Sequence, residues 1–134
     1  MKVLKVQDAT EKKIETFPYR GEHLKVREVT VRWLSQAGPL ESPEYGLRFF
    51  RIGPGGEIPI HKHLYYQTMF ILSGRALCRG HDQETDAPLH EQEVGPGEAV
   101  FIPTMEPHSM VNLSDSEDVT FLCCIANVYD EDNN

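Results

Sequence analysis

Two histidines separated by one residue, His61 and His63, lie in the stretch Gly55 to Gly74, GGEIPIHKHLYYQTMFILSG. Side chains alternate between faces along a β-strand, so an H-x-H pair on a strand sends both imidazoles to one side. Two neutral imidazoles on one side can share a metal ion. Gln67 follows and offers an amide oxygen. A straight strand would carry Gln67 about 13 Å beyond His63 at ~3.3 Å per residue, too far to join metal bonds of about 2 Å. A shared site therefore requires the chain to turn back at Leu64-Tyr65-Tyr66, with Gln67 opening the next strand. Taken alone, H-x-H is equally the pattern of two ordinary histidines on a solvated strand face.

A second candidate stands further on. Gly97-Glu98-Ala99-Val100-Phe101-Ile102-Pro103 is followed by Thr104-Met105-Glu106-Pro107-His108, which puts His108 just after a proline-closed turn, at the entrance to a strand. His108, Met110 and Asn112 share parity and can face one interior. The other histidines, His23, His81 and His90, read as surface residues. Tyr65 and Tyr66 read as core or rim packing. Arg48 and Arg51 lie on opposite parities of one strand, so at most one faces inward, and solvent is the ordinary environment for either. No lysine, histidine or carboxylate is obviously placed as a general base.

The elements that must position these residues are short strands between Gly/Pro turns. Residues 1–22 carry Pro18 and Gly21 as breakers and read as an N-terminal arm, with Thr10 able to cap one turn at Glu11 to Ile14. His23 to Leu34 alternates, and its phase changes at Arg27-Glu28, the mark of a bulge. Gly38 to Gly46 reads as a loop, Leu47 to Ile52 as a strand, and Gly53-Pro54-Gly55-Gly56 as a turn. Thr68 to Ser73 and Arg75 to Arg79 read as a hairpin about Gly74. Leu89 to Val94, Ala99 to Ile102, His108 to Leu113 and Val119 to Val128 complete the set. The pattern is all-β, an antiparallel sandwich or barrel.

Composition bounds the rest. The chain has 134 residues, 40% hydrophobic and 25% charged, which suits one globular domain with a single core. No signal peptide or spanning segment is visible, so a soluble cytoplasmic protein is expected. Three cysteines, Cys78, Cys123 and Cys124, follow no zinc-finger spacing and read as small buried residues rather than a disulfide framework. A net charge of −8 disfavours nucleic acid and anionic membranes as partners. Ser114 to Asp118 and the tail Asp130-Glu131-Asp132 hold much of that charge and read as solvated turn and frayed end.

Together the two stretches resemble the paired motifs of the cupin superfamily, G-x5-H-x-H-x3,4-E-x6-G and G-x5-P-x-G-x2-H-x3-N. Gly55, His61, His63 and Gly74 meet the first, with Gln67 in the place of the glutamate. Gly97, Pro103, His108 and Asn112 meet the second, with Met105 in the place of the glycine. The resemblance implies an antiparallel double-stranded β-helix, or jelly-roll barrel, over residues 23–128, with the arm at 1–22 and an acidic tail at 129–134. It further implies one divalent metal held by His61, His63 and His108, with Gln67 as fourth ligand or as hydrogen-bond partner of a bound water. An uncharged fourth position suits iron, nickel, zinc or copper better than manganese and favours an anionic small-molecule ligand. The implied activity is dioxygenase-like, the alternatives being a non-redox isomerase or lyase, or a module that binds a small molecule or metal without turnover. A homodimer is implied too, with Leu24 to Trp33 as the edge open to pairing.

Overall fold

The computed structural model describes residues 1–35 and 44–126. Most of the expected loop from Gly38 to Gly46, the end of the last strand and the acidic tail lie outside the described residues. The strands are β1 (Lys12–Lys13), β2 (Thr16–Tyr19), β3 (Glu22–Lys25), β4 (Arg27–Ser35), β5 (Tyr45–His61), β6 (Gln67–Ser73), β7 (Ala76–His81), β8 (Pro88–Val94), β9 (Ala99–Ile102), β10 (His108–Asn112) and β11 (Val119–Ala126). Among the described residues the helical content is one 3-10 turn at Val6–Asp8. β2 and β3 form a separate ribbon. The other strands make one curled antiparallel sheet in the order β8-β7-β10-β5-β11-β6-β9, with β4 also on β5 and β1 on β4. This is the all-β jelly-roll architecture that the sequence implies.

The 17-residue strand β5 is the spine of the sheet. Its first half, Tyr45 to Ile52, pairs with β11, and its last part, Glu57 to His61, pairs with β10. The chain thereby crosses from one half of the barrel to the other without leaving the strand. The glycines at 53–56, expected as a turn, are what permits that crossing. Gly55 has φ +69°, and a Cβ on Gly56 would meet the Arg27 carbonyl and Ile52 Cγ2 at 2.7 Å. Asn112 ties the crossing down from the end of β10: its Nδ2 donates to the carbonyls of Ile52, Gly53 and Glu117, at 2.8–3.0 Å. The second motif's asparagine therefore holds the backbone that carries the first motif.

Strands β6 and β7 are not a hairpin. β6 pairs with β11 and β9, β7 with β10 and β8, so the turn at Gly74 passes from one half of the barrel to the other. The expected bulge near Arg27-Glu28 is present: Glu28 has φ +57° and the β4–β5 register shifts between Arg27 and Val29. Lys12 and Lys13 are extended rather than helical, and they cover the outer edge of β4 at Thr30 and Val31. The edge expected to be open is thus partly paired within the chain.

Inward positions alternate as a two-sided sheet demands. Along β11, Val119, Phe121, Cys123 and Ile125 are buried while Cys124 is exposed. With Val29, Ile52 and Ile71 they fill the core, and Phe50 stacks on Phe121 at 5.1 Å. Each fully buried aliphatic or aromatic side chain contributes roughly 1.5–3 kcal/mol. Two glycine substitutions separate conformational strain from crowding. Gly55→Ala meets only the cost of positive φ, since nothing lies within 4 Å of its Cβ, and should lower stability by about 1 kcal/mol. Gly74→Ala also drives a Cβ to 2.4 Å from the Asp118 carbonyl and should cost roughly 2–4 kcal/mol. Urea midpoints of the two variants check the difference; equal losses would contradict the packing at Gly74.

Candidate metal centre

His61 closes β5, His108 opens β10, and the two are Cα partners across that ladder. His63 follows in the turn that leads to β6, where residues 62–66 leave the strand as a shared site requires. That turn is latched to the loop before β10. The Met105 N–H donates to the His63 carbonyl at 2.8 Å, and the Thr104 hydroxyl donates to the Leu64 carbonyl. Met105 takes φ +62°, so it adopts the left-handed conformation that a glycine would reach without strain. Ring centroids of His61 and His108 are 4.3 Å apart, those of His63 and His108 4.9 Å, and those of His61 and His63 5.6 Å. One ring nitrogen of each lies within 4.8 Å of the others.

Each imidazole is oriented by a backbone carbonyl two residues away. Nδ1 of His61 bonds the Pro59 carbonyl at 2.9 Å, Nδ1 of His63 the Tyr65 carbonyl at 3.0 Å, and Nδ1 of His108 the Glu106 carbonyl at 2.8 Å. A carbonyl only accepts, so Nδ1 must carry the proton and Nε2 the lone pair. Flat neighbours complete the alignment. Phe17 stacks on His61 at 4.6 Å and 14°, and Tyr65 on His63 at 3.9 Å and 12°.

Burial, followed by the repulsion of His63 and Arg48, pushes His61 down to about 4. Burial pushes His108 well below its usual range, and His61 adds to the shift. Both rings are therefore neutral at pH 7 and able to donate a lone pair. The Nε2 of His108 is buried with no hydrogen-bond partner. A buried acceptor in that state is costly unless an ion or proton meets it. These residues fit a divalent metal: three imidazoles with Nδ1 committed to backbone carbonyls and one ring nitrogen of each within 4.8 Å of the others.

Gln67 opens β6 and is buried, pairing across to Ile125 and Ile102. It lines the same cavity of about 320 Å³ as His61 and His108, together with Phe17, Arg48 and Tyr65. Arg48 differs from its expected solvated environment. It shares parity with Phe50 and Ile52 on the inward face of β5 and is 3% exposed. Arg51, on the other face, pairs with Asp118 at 2.8 Å. Tyr65 is buried, whereas Tyr66 is exposed and stacks on Phe101 at 6.0 Å. His23 and His90 are exposed, but His81 is half-buried: its Nε2 meets the Ser109 hydroxyl at 2.8 Å and its Nδ1 the Asp86 carbonyl at 2.9 Å. All three cysteines are free thiols, and burial raises the Cys78 thiol to about 11.

Two wall residues escape a motif reading, Phe17 and Arg48. The shared parity of Phe17 and Tyr19, and of Arg48 and Phe50, was the available signal. Among the described residues no helix is long and apolar enough to cross a membrane.

Comparison with known proteins bears on the same region. The family model described as a cupin domain matches residues 48–125. The structure of the polyketide cyclase RemF from Streptomyces resistomycificus is 26% identical with TM-score 0.75, covering 98% of this chain and 82% of that one. A cupin-2 domain from Rhodospirillum rubrum is 22% identical with TM-score 0.67, covering 93% and 74%. A predicted oxalate decarboxylase from Thermotoga maritima is 19% identical with TM-score 0.71, covering 94% and 99%. No curated protein matches the chain.

The titration of His61 has a thermodynamic consequence. Its folded value near 4 lies below the unfolded value near 6.5, so the unfolded chain binds more protons in between. Stability of the metal-free protein should then fall as pH drops from about 6.5 towards 4, by up to roughly 1.4 kcal/mol per unit from this group. Urea melts in the presence of chelator should show that slope reduced in His61→Asn; an unchanged slope would contradict the burial of the ring.

Proposed function

The chain belongs to the cupin domain family, and from that premise we propose that it is an enzyme that uses one divalent transition metal to act on a small enolisable carbonyl compound. His61, His63 and His108 are the ligands in this reading. The observation that carries it is the set of three imidazoles whose Nδ1 protons are committed to backbone carbonyls, leaving their Nε2 lone pairs for an ion beside a cavity. Gln67 supplies a fourth, uncharged oxygen from the same wall, either to the ion or to a water on it. With no carboxylate in that place the donors leave the ion's charge uncompensated, which favours iron, nickel, zinc or copper over manganese and an anionic partner in the open positions.

A metal held there supplies Lewis-acid polarisation of a carbonyl oxygen. The protein's own contribution is placement and exclusion of water. Phe17 and Tyr65 hold two of the imidazoles in plane, and the apolar side chains of Phe50, Met69 and Phe121 form much of the wall behind them. Neutral imidazoles and a dry wall strengthen any charge interaction in the cavity.

The reaction favoured is non-redox carbonyl chemistry of the cyclase kind. Its support is the likeness over 98% of the chain to a polyketide cyclase at 26% identity. A dioxygenase-like reaction is the second reading, supported by the all-neutral donor set with Gln67 in the acidic position. Oxygen consumption separates the two. Purified protein should carry one transition metal per chain, and His63→Ala and His108→Ala should each lose most of it. Incubated with a panel of 1,3-diketones and oligoketide mimics, it should yield cyclised or dehydrated products by mass without oxygen uptake. Stoichiometric oxygen uptake would move the assignment to a dioxygenase. Full metal occupancy in both alanine variants, or tight metal without turnover of any panel member, would overturn the enzyme reading.

A further inference from the structure

Enolisation of a carbonyl compound needs a group that takes a proton from carbon. The three clustered imidazoles do not supply it: their Nδ1 atoms are committed to backbone carbonyls and, in the reading above, their Nε2 lone pairs to an ion. Other groups that line the cavity are limited in turn. Burial raises the Cys78 thiol to about 11, so it keeps its proton at pH 7. Glu98 Oε1 accepts the Gly95 N–H at 2.7 Å. Arginine side chains hold their charge at every relevant pH and are not bases.

The ladder register sets a further histidine in line with the cluster. His61 pairs with His108 across β5 and β10, His108 with Gly80 across β10 and β7, and Gly80 with His90 across β7 and β8. Cα partners on antiparallel strands send their side chains to one face of the sheet. His90 accordingly lines the same cavity as His61 and His108, together with Gln92 and Val94, which share its parity on β8. Val94 is buried and His90 exposed, so β8 runs from the core to the cavity mouth. Two ladders separate the backbones of His108 and His90 by about 10 Å. The residue between them is Gly80, which puts no side chain into the interval. The Glu106 carboxylate borders it, with Oε2 3.7 Å from where a Cβ on Gly80 would stand. Gln92 Oε1 lies 3.4 Å from Nε2 of His90. An amide oxygen only accepts, so this contact keeps the proton on Nε2 and the lone pair on Nδ1.

Resting on the carbonyl-chemistry reading above, we propose that His90 is the catalytic base of this cavity: its Nδ1 removes the α-proton of a small diketone whose carbonyl oxygen lies at the three histidines. The C–H bond pair becomes the C=C bond of the enolate, and the carbonyl π pair moves to oxygen. The enolate carbon then attacks the second carbonyl carbon, whose π pair becomes an alkoxide, and the His90 imidazolium returns the proton to it. Loss of that hydroxyl with a second α-proton gives water and a cyclic enone. No oxidant enters. Imidazole suits the task because its charge changes near neutral pH.

Heptane-2,6-dione is the probe: its α-protons exchange with deuterium through the enolate, and its ring closure with loss of water gives a methylcyclohexenone. Both are followed by NMR in deuterium oxide with the zinc-loaded natural chain, His90→Ala and Glu106→Gln. His90→Ala should slow exchange and ring closure by about 100-fold or more, with KM within about threefold and the zinc content unchanged. Added imidazole should restore part of the lost rate through the open position, a response that a merely structural role would not give. In metal-free protein labelled at histidine, the dione should shift the ring resonance that His90→Ala lacks. Unchanged rates in His90→Ala, a loss that imidazole does not rescue, a loss confined to Glu106→Gln, or no exchange by the natural chain would overturn the proposal. Zinc content tests the metal reading separately: a chain that takes up no zinc contradicts that reading, while the resonance shift in the metal-free protein still upholds or overturns the place of His90 beside the ligand.

Discussion

Three short hydrogen bonds from imidazole Nδ1 to backbone carbonyls are the constraint on which the site depends. Each uses a carbonyl two residues from its histidine, so the same local backbone path that places the ring also selects its tautomer. Without them the rings could present either nitrogen, and three lone pairs would meet only in a fraction of the accessible states. The rest of the barrel keeps those paths in register. β5 delivers Pro59 and His61, β10 delivers His108 across the ladder, and the Met105 N–H grips the His63 carbonyl. The glycine crossing in β5, anchored by Asn112, is what lets one strand serve the core at Ile52 and the site at His61.

Polarity in the interior follows a single logic. Burial drives His61 and His108 towards the neutral form, which suits them as donors and makes them poor proton carriers near pH 7. Of the two arginines that line the cavity, Arg79 pairs with Glu91 and Arg48 lies against aromatic faces and a protonated thiol. The N-terminal segment shares in this. Phe17 of β2 reaches over to stack on His61, so residues that look like an arm in the sequence form part of the wall.

Much of this was legible in the sequence where side-chain period and turn chemistry agree. The strands at Ala99–Ile102 and His108–Asn112, the bulge at Glu28 and the turn before Gln67 all follow from alternation and Gly/Pro punctuation. The histidine cluster follows from spacing combined with motif order. What failed was the reading of glycine. Gly53 to Gly56 permits an extended crossing, and Gly74 joins strands from different halves of the barrel, because partner choice is decided by tertiary packing that a local pattern does not encode. Arg48 was misplaced for a related reason. Its charge argues for solvent, whereas in the fold parity decides which way a strand residue points and the aromatic neighbours make the burial tolerable. His81 went the same way, since its partners Ser109 and Asp86 come from distant or loop positions.

The central claim is that Nε2 of His61, His63 and His108 converge on one metal ion because Nδ1 of each is tied to the backbone. Anomalous diffraction from crystals of the cobalt-loaded protein measures this most directly. The account predicts one anomalous peak per chain, bonded to those three Nε2 atoms at about 2.0–2.2 Å, with every Nδ1 still in hydrogen-bond contact with Pro59, Tyr65 or Glu106. A peak elsewhere in the barrel, or a ring turned to bind through Nδ1, would contradict it.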